Sequence, residues 1–369
     1  MKVFCYVQHL LGIGHLKRVA TIAQALRGAG AEVVLASGGM PANGVAVDVQ
    51  LPPARAADLT FKTLLGEDGR PIDDEWKRRR AGALLDAWRD SRAGVLVIEL
   101  FPFGRRQLRF ELLPLLEDAR RLSPRPLIVC SLRDLLQPRP EREAEALELA
   151  TRYFDRILVH GDPRLAGLER TFGRAAALGG RVHYSGYVVA PAAHPASGGA
   201  EVLVSAGGGA VGKRLLDTAI AAREHTLLRG ATWRLLAGAN ASDADFAALK
   251  RQAKPGVIVE RSRDDFQALL GNAALSISQA GYNTVTEVLQ ARVRAVLVPF
   301  AAGGEEEQTL RASLVAERGA AVMLLERELT ARKLAEAVNR AARLPRPAAD
   351  LVDLDGARRS AELITQWGS

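Results

Sequence analysis

The chain has few of the residues that mark disulfide-stapled, metal-binding or membrane-spanning proteins. Cysteine occurs only at Cys5 and Cys130, each inside an apolar run, and we interpret both as buried free thiols. No group of Cys and His has the spacing of a structural zinc site, and no apolar run approaches the roughly 20 residues of a membrane-spanning helix. A strand pattern begins at Lys2 and leaves no room for a signal peptide. We expect a cytoplasmic protein that is at most peripheral to the inner face of a membrane.

Aromatic residues are also scarce, at 5% of the chain, whereas basic residues are abundant. The net charge is +8, and residues 1–190 carry +6 of it, with 28 Lys and Arg against 22 Asp and Glu. The excess forms clusters at 77–80, 105–109 and 120–125. These clusters fit either solvated helix faces or a surface for an anionic acceptor or an anionic membrane leaflet. Nucleic acid is not expected as a partner, because no aromatic side chains interleave with the charges to stack on bases.

Short apolar runs alternate with amphipathic helical patterns along the whole chain, which is typical of parallel α/β sheets. With nearly half of its 369 residues apolar, the chain can bury two cores. Residues 189–199, VAPAAHPASGG, lack periodicity and predict a linker. We therefore predict two doubly wound α/β domains, 1–188 and 200–354, that face each other across a cleft and bind ligands at the carboxyl ends of their strands. We expect the last helix, about 355–369, to pack back on the first domain.

The predicted strands are short apolar runs, six in each domain. In the first domain they are Lys2–Gln8, Glu32–Ala36, Val45–Gln50, Gly94–Leu100, Pro126–Ser131 and Arg156–His160. In the second domain they are Glu201–Ala206, Thr232–Ala237, Gly256–Glu260, Ala274–Ser278, Ala295–Pro299 and Ala320–Leu324. Because most are apolar on both faces, we expect helices to cover each sheet on both sides.

The first of four glycine-bearing turns, QHLLGIGH, ends the first strand and opens a helix. Gly12 and Gly14 allow the backbone to approach a ligand closely. His15 stands at the start of the helix, where it is either a helix cap or a group that contacts substrate. We favour a catalytic role for His15, as general base or as the residue that orients the acceptor, because an imidazole titrates near the working pH.

Two carboxylates stand at the ends of other strands of the first domain and are candidate catalytic partners of His15. Glu99 lies at the end of the run Gly94–Leu100, and Asp134 lies just past the run Pro126–Ser131. Either can pair with His15 or hold the acceptor. The alternative for each is a structural ion pair with a nearby arginine.

The second turn, SAGGGAVGK, follows the first strand of the second domain. Successive backbone N–H groups at Gly207, Gly208 and Gly209 can form a nest for an anion, and the following helix adds its positive end. The turn is not a phosphate-binding loop of the Walker A type, because its Gly-Lys pair is not followed by Ser or Thr. It does not indicate NAD either, because the next strand carries Arg234 and no acidic residue at its end.

The third and fourth turns follow two later strands of the second domain. In the segment SQAGYNTVTE, Gly281 makes the turn and we expect Asn283 and Thr284 to cap a helix. The N–H groups of that helix suit a diphosphate, and Glu287, about one turn into the helix, can accept both hydroxyls of a ribose. The fourth turn, PFAAGGEEEQ, brings Gln308 to the same rim.

These segments resemble a known family. The stretches ISQAGYNTVTEVL, VLVPF, EQTLRA and ERGAA resemble the C-terminal domain of the family 28 glycosyltransferases, which include the bacterial enzyme that adds N-acetylglucosamine to the peptidoglycan lipid intermediate. The GIGHL start and the segment ELFPFGRRQLRFEL resemble, more closely still, a group of predicted glycosyltransferases. The resemblance implies the GT-B fold of two Rossmann-like domains, with a nucleotide-sugar donor on the C-terminal domain and the acceptor on the N-terminal one.

The resemblance also implies roles for individual residues of the donor site. By position these are Gly281, Tyr282, Asn283 and Thr284 at the donor phosphates, Glu287 at the ribose, Gln308 at the sugar hydroxyls, Gly207–Gly209 at the diphosphate, and Arg261 and Ser262 near the base. Two departures bear on the nucleotide. The stretch 186–189 lacks the phosphate-binding arginine of the peptidoglycan enzyme, and the turn at Arg261 lacks its aromatic residue. Uridine is the expected base, with thymidine as the alternative.

The sequence thus predicts a hexosyltransferase that moves a sugar from a nucleotide diphosphate, UDP foremost, to a hydroxyl or amine of a small-molecule, glycolipid or natural-product acceptor. No metal and no other cofactor are expected. The two Asp-x-Asp sequences, at 243–245 and 353–355, follow no apolar strand and fit helix starts, and helix ends can neutralise the leaving diphosphate instead. The alternatives are a nucleotide-sugar hydrolase or 2-epimerase on the same fold, and a non-catalytic nucleotide-sugar-binding partner of another transferase.

Overall fold

The computed structural model describes residues 1–58, 61–191, 199–206, 212–238, 241–300 and 306–369. Its strands in chain order are β1 (Lys2–Val7), β2 (Glu32–Ser37), β3 (Val49–Gln50), β4 (Arg55–Ala56), β5 (Leu64–Leu65), β6 (Val95–Glu99), β7 (Leu127–Arg133), β8 (Arg156–His160), β9 (Val182–Tyr184), β10 (Glu201–Ser205), β11 (Trp233–Ala237), β12 (Val257–Arg261), β13 (Ala273–Ser278), β14 (Arg294–Leu297) and β15 (Val322–Met323). Its helices are α1 (Gly14–Gly28), α2 (Asp74–Ser91), α3 (Arg109–Arg121), α4 (Glu143–Tyr153), α5 (Lys213–Ala222), α6 (Asp243–Gln252), α7 (Phe266–Gly271), α8 (Tyr282–Gln290), α9 (Glu307–Glu317), α10 (Ala331–Ala341) and α11 (Gly356–Trp367).

The chain forms two compact units. Unit 1 comprises residues 1–188 and 353–369, and unit 2 comprises residues 189–352. Most of the segment 189–199, which the sequence predicts to be a linker, lies outside the described residues.

Unit 1 is built on a parallel seven-stranded sheet in the order β3-β2-β1-β6-β7-β8-β9. Alternate residues of each strand face opposite sides, so both sides need a cover. In β1, Val3 and Cys5 pack with α1 and α11, whereas Phe4 and Tyr6 pack with α2 and α3. Chain order reverses between β1 and β6, which makes their carboxyl ends the switch point of this sheet.

The last helix completes one face of unit 1. Tyr187 donates its backbone N–H to the carbonyl of Asp353 at 2.7 Å, and Gly356 donates back to the carbonyl of Tyr187 at 3.1 Å. Gly356 leaves no room for a side chain, because a Cβ there would lie 2.4 Å from the carbonyl oxygen of Gly186. From that anchor α11 runs along α1 and buries Ile364.

Unit 2 has a parallel six-stranded sheet in the order β12-β11-β10-β13-β14-β15. Helices α5 and α10 lie against one face, where Leu216, Ala219 and Leu334 join Val204 and Ile277 in a single core. The strand order is that of a doubly wound sheet, and its switch point lies between β10 and β13.

The structure shortens two predicted strands and adds elements that the apolar runs did not indicate. Of the run Val45–Gln50 only the last two residues form β3, because only Val49 and Gln50 pair with β2. Of the run Ala320–Leu324 only two residues form β15. The additions are the antiparallel pair of β4 and β5 and the three-residue edge strand β9.

One basic cluster of the sequence is partly interior. Arg80 is fully buried and donates to Glu111 Oε2 at 2.7 Å and to the carbonyls of Gly38 and Pro52 at 2.8 Å each. The interpretation of residues 77–80 as a single solvated or ligand-binding cluster is therefore wrong at Arg80, where protein acceptors replace water.

Both cysteines are buried and unpaired. Burial raises the pKa of the Cys5 thiol to about 12. Among the described residues, no helix has the length and apolarity needed to cross a membrane. In the same part of the chain, no group of three or more His, Cys, Asp or Glu side chains is arranged to hold a metal ion.

Candidate functional site

The switch point of unit 1 holds His15. After β1, the buried side chain of Gln8 donates to the carbonyls of His9 and Ala54, at 2.7 and 2.9 Å, and so fixes the start of the turn. Helix α1 then begins at Gly14 with Ile13 as its N-cap and no side-chain cap. His15 is thus the second residue of the helix. It is not a cap, since its imidazole is engaged elsewhere.

The imidazole of His15 meets the carboxylate of Glu99. His15 Nδ1 lies 2.9 Å from Glu99 Oε1, with 15% of the histidine side chain exposed and the glutamate side chain fully buried. Arg18, one turn further along α1, donates Nη2 to the same Oε1 and lies 3.1 Å from His15 Nδ1. Glu99 therefore forms a buried pair with a permanent cation while it contacts the histidine.

The charges around this pair fix its protonation states. Burial and the nearby Arg105 guanidinium lower the pKa of His15 to about 3, although the hydrogen bond that His15 donates to Glu99 acts to raise it. Burial alone would raise the pKa of Glu99, but Arg18 and then His15 outweigh it and hold that pKa well below its usual range. At neutral pH, Glu99 is a carboxylate that only accepts hydrogen bonds and His15 is a neutral imidazole. The proton of His15 therefore lies on Nδ1, and Nε2 carries a lone pair.

Asp134 occupies a different environment. It is buried just beyond β7, where Tyr187 Oη donates to its Oδ2 at 3.3 Å. Its Cβ packs against Gly161, where an added side chain would come within 2.9 Å. In the described residues His15 Nδ1 donates to Glu99 and Arg18 Nη2 lies beside it, so the structure brings Glu99 to His15 and leaves Asp134 with Tyr187.

In unit 2, helix α8 begins at the switch point. The expectation that Asn283 and Thr284 cap it is wrong: Gly281 is the N-cap, without a side-chain cap, and Asn283 and Thr284 lie within the first turn. A glycine cap satisfies none of the first N–H groups with a side chain. The start of α8 carries the positive end of the helix dipole.

Two side chains of α9 fix the loop that leads into α8. The amide oxygen of Gln308 accepts the N–H groups of Ala280 at 3.2 Å and of Phe300 at 3.1 Å, so it ties together the chain segments that follow β13 and β14. Arg311, 1% exposed, donates to the carbonyl of Ala280 at 2.9 Å and lies 5.8 Å from the ring centroid of Tyr282. Arg311 adds a buried positive charge beside the start of α8.

The remaining donor-site candidates are distributed around the same sheet. Glu287 is half-buried on α8. Arg261 ends β12, pairs with Asp243 and stacks on Phe246 with 4.6 Å between its guanidinium and the ring centroid. Ser262 follows it in the chain and is exposed. The candidates Gly207, Gly208 and Gly209 lie outside the described residues.

Sequence reasoning missed Arg18 and Arg311 as parts of these sites. A signal for each was present, because Arg18 stands three residues after His15 and Arg311 three residues after Gln308. On a helix, that spacing puts two side chains on one face. Each arginine could therefore have been predicted from the sequence to lie beside its candidate residue.

Comparison with known proteins gives a family match that lies within unit 2. Residues 208–350 match the glycosyltransferase family 28 C-terminal domain. The UDP-N-acetylglucosamine--N-acetylmuramyl-(pentapeptide) pyrophosphoryl-undecaprenol N-acetylglucosamine transferase of Cupriavidus metallidurans is 36% identical over 108 residues, which are 28% of this chain and 30% of that protein. The enzyme of the same name from Desulforudis audaxviator is 36% identical over 144 residues, 36% of this chain and 37% of that protein. The chain thus spans about a third of the length of the curated relatives it matches.

Solved structures match the whole chain. MurG of Acinetobacter baumannii is similar with a TM-score of 0.60 at 14% identity, and the alignment covers 99% of both chains. CalG4, the calicheamicin glycosyltransferase, is similar with a TM-score of 0.61 at 17% identity, covering 100% of this chain and 95% of that one. At such identities the likeness shows the fold. The chain therefore has the GT-B fold, and residues 208–350, within unit 2, are similar to the family 28 glycosyltransferase C-terminal domain.

Proposed function

We propose that the protein is a metal-independent hexosyltransferase that takes a sugar from a nucleotide diphosphate, UDP foremost, and transfers it to a hydroxyl or amine acceptor. Unit 2 binds the donor and unit 1 binds the acceptor. The observation that carries the proposal is the pair of His15 and Glu99 at the switch point of unit 1, in a chain whose other unit matches the glycosyltransferase family 28 C-terminal domain. The relatives and structural neighbours, named as glycosyltransferases, support the reaction class.

His15 is the proposed general base. Its Nδ1–H is held by Glu99, so Nε2 keeps a lone pair that can accept the proton of an attacking hydroxyl. As the acceptor oxygen bonds to the anomeric carbon, the bond from that carbon to the diphosphate oxygen breaks and the nucleotide diphosphate leaves with the electron pair. The carboxylate of Glu99 then stabilises the imidazolium. The expectation that His15 titrates near the working pH does not hold in the free protein, where its pKa is lowered to about 3. The imidazole is therefore unprotonated across the physiological range but weakly basic, and it depends on the Glu99 carboxylate to stabilise the imidazolium.

The start of α8 is the proposed binding site for the donor diphosphate. Tyr282, Asn283 and Thr284 are the first residues of α8, so their N–H groups belong to the positive end of the helix. The buried Arg311, bonded to the carbonyl of Ala280, adds a permanent positive charge near that end. Such donors can stabilise the leaving diphosphate without a metal ion. Glu287 is proposed at the ribose and Gln308 at the sugar. The side-chain oxygen of Gln308 accepts the backbone N–H of Ala280, which fixes the position of its amide group. For Arg261 and Ser262 we propose a position near the base.

Gly12 and Gly14 stay proposed as close-approach positions in the first turn, and the loop 207–209 as a second diphosphate contact. Asp134 is proposed to shape the acceptor side of unit 1, not to pair with the base. A glycolipid, natural-product or other small-molecule acceptor fits this scheme. Peripheral contact with an anionic membrane is proposed through the exposed basic residues of unit 1. Arg80 is excluded from this surface because it is fully buried.

The test is a panel of UDP- and dTDP-sugars, incubated with protein in EDTA, with and without a library of hydroxyl and amine acceptors. The proposal expects transfer to at least one acceptor and only slow release of free sugar without one. Fast release of free sugar without an acceptor would identify a hydrolase, and interconversion of the donor an epimerase. Donor binding without any turnover would identify a non-catalytic binding partner. Each of these three outcomes would contradict the proposal.

A further inference from the structure

A series of buried polar side chains begins at Glu99 and continues away from His15, and its members beyond Glu99 take no direct part in the proposed reaction. Its members come from β6, β7, β8, the residue after β9, and α11. They are Glu99, Ser131, His160, Ser185 and Ser360, each 0 or 1% exposed. Polar groups buried this completely must satisfy one another, because water does not reach them.

The contacts form a continuous series. Ser131 Oγ donates to Glu99 Oε2, the carboxylate oxygen that His15 does not use. The same Ser131 Oγ lies 2.8 Å from His160 Nε2. On its far side, His160 Nδ1 lies 2.9 Å from Ser185 Oγ and 3.4 Å from Ser360 Oγ.

Counting protons fixes the direction of the bonds that join His160, Ser131 and Glu99. Glu99 is ionised and accepts only, so the single hydroxyl proton of Ser131 is committed to it. Ser131 Oγ must then accept from His160, which places the proton of His160 on Nε2 and a lone pair on Nδ1. Burial holds the pKa of His160 at about 3, so this ring carries one proton. On the far side, Ser360 donates to the carbonyl of Gly356 at 2.6 Å. Ser185 Oγ has two acceptors for its one proton, His160 Nδ1 at 2.9 Å and the carbonyl oxygen of Gly186 at 3.0 Å.

We infer that Ser131 and His160 are positioning residues, which hold Glu99 so that the proton of His15 lies on Nδ1 and its Nε2 is left as the base. The effect of this arrangement on catalysis rests on the proposed function, whereas the hydrogen-bond geometry is independent of it. With Oε2 fixed by Ser131, the carboxylate cannot rotate, and Oε1 stays aimed at His15 Nδ1. Ser360, on α11, is the last member of this series, so the packing of α11 on unit 1 also contributes to it.

The first test reads the tautomers directly and needs no substrate. Long-range ¹H–¹⁵N spectra of protein labelled at histidine, assigned with single His→Gln variants, report which ring nitrogen carries the proton. The inference expects Nδ1–H for His15 and Nε2–H for His160. Finding the proton of His15 on Nε2, or that of His160 on Nδ1, would overturn it. If the tautomers are as expected but no transfer occurs, the proposed function fails and this inference stands.

The second test uses Ser131→Ala, with Ser131→Thr to restore the hydroxyl. The alanine variant should shift part of the His15 population to Nε2–H and lower turnover by roughly tenfold to a hundredfold, as expected for one lost hydrogen bond to a charged group. The KM for the donor should stay unchanged, and Ser131→Thr should recover both the tautomer and the rate.

The matched control is Ser37→Ala, at the carboxyl end of β2 in the same sheet. Ser37 is 1% exposed and its Oγ makes no hydrogen bond within the described residues. This variant should leave the His15 tautomer and turnover as in the parent. If Ser131→Ala leaves the His15 spectrum identical to that of Ser37→Ala, Ser131 does not position Glu99 and the inference is wrong.

Discussion

Replacing Glu99 by glutamine keeps the shape of the side chain and removes its charge. Arg18, with 2% of its side chain exposed, would then face a neutral amide, and breaking a buried ion pair costs about 3–5 kcal/mol of the free energy of unfolding. The amide can also present its NH₂ group to His15 Nδ1, which would move the histidine proton to Nε2. Turnover should therefore fall by roughly 10²–10⁴-fold, the range for loss of a general base, while the affinity for UDP stays unchanged.

A second buried pair in the same unit separates catalysis from stability. Glu111 and Arg80 are both fully buried, and Glu111→Gln should cost a similar free energy of unfolding without changing turnover. The assay measures urea unfolding, UDP binding by calorimetry and sugar transfer for both variants, at a temperature where both are folded. Equal losses of turnover in the two variants, or near-parent turnover in Glu99→Gln, would refute the assignment of Glu99 to the base.

Three further predictions concern other parts of the account. His15→Ala should lower turnover by roughly 10²–10⁴-fold with little change in donor affinity; a rise in the acceptor KM alone would leave His15 only a positioning role. Glu287→Ala should weaken UDP binding by about 1.5–3 kcal/mol in calorimetry; normal binding in a variant that melts much lower would make Glu287 structural. Stability should fall on acidification from pH 6.5 towards 3, because His15 and His160, each with a folded pKa near 3, stay neutral in the fold while the unfolded chain takes up their protons. The slope is up to about 1.4 kcal/mol per pH unit for each histidine, and urea unfolding that is flat over this window would contradict it.

The sequence was most informative where a strand is buried on both faces. Runs such as that at the start of the chain were visible because parallel strands under two helix layers are apolar throughout. Short edge strands carry little of that signal, so β9 was missed and β3 was predicted too long. The apolar runs also do not predict the order of the strands in each sheet.

That order decides which carboxylate meets His15. The sequence left Glu99 and Asp134 as equal candidates, because both stand at strand ends of the first domain. In the sheet, β6 lies directly beside β1 whereas β7 lies one strand further away. Neighbouring strands are about 4.8 Å apart, so the end of β6 is within reach of the first turn and the end of β7 is not.

Two local interpretations failed for reasons that can be named. Asn and Thr favour helix caps, but at α8 the glycine before them already has the extended conformation of a cap. Arg80 was counted with its charged neighbours, although it stands four residues before Leu84 and eight before Trp88, on the buried stripe of α2. Helical spacing was the better guide there than the run of charges.

The central claim is that a site built from backbone and helix ends binds a nucleotide diphosphate without metal. The direct measurement is thermal unfolding of EDTA-dialysed protein with UDP, with and without added Mg²⁺. The account predicts stabilisation in EDTA, about 2.7 kcal/mol at a UDP concentration of 100 Kd, and no further gain from Mg²⁺ at that concentration. Stabilisation that appears only with Mg²⁺, or in neither condition, would contradict it.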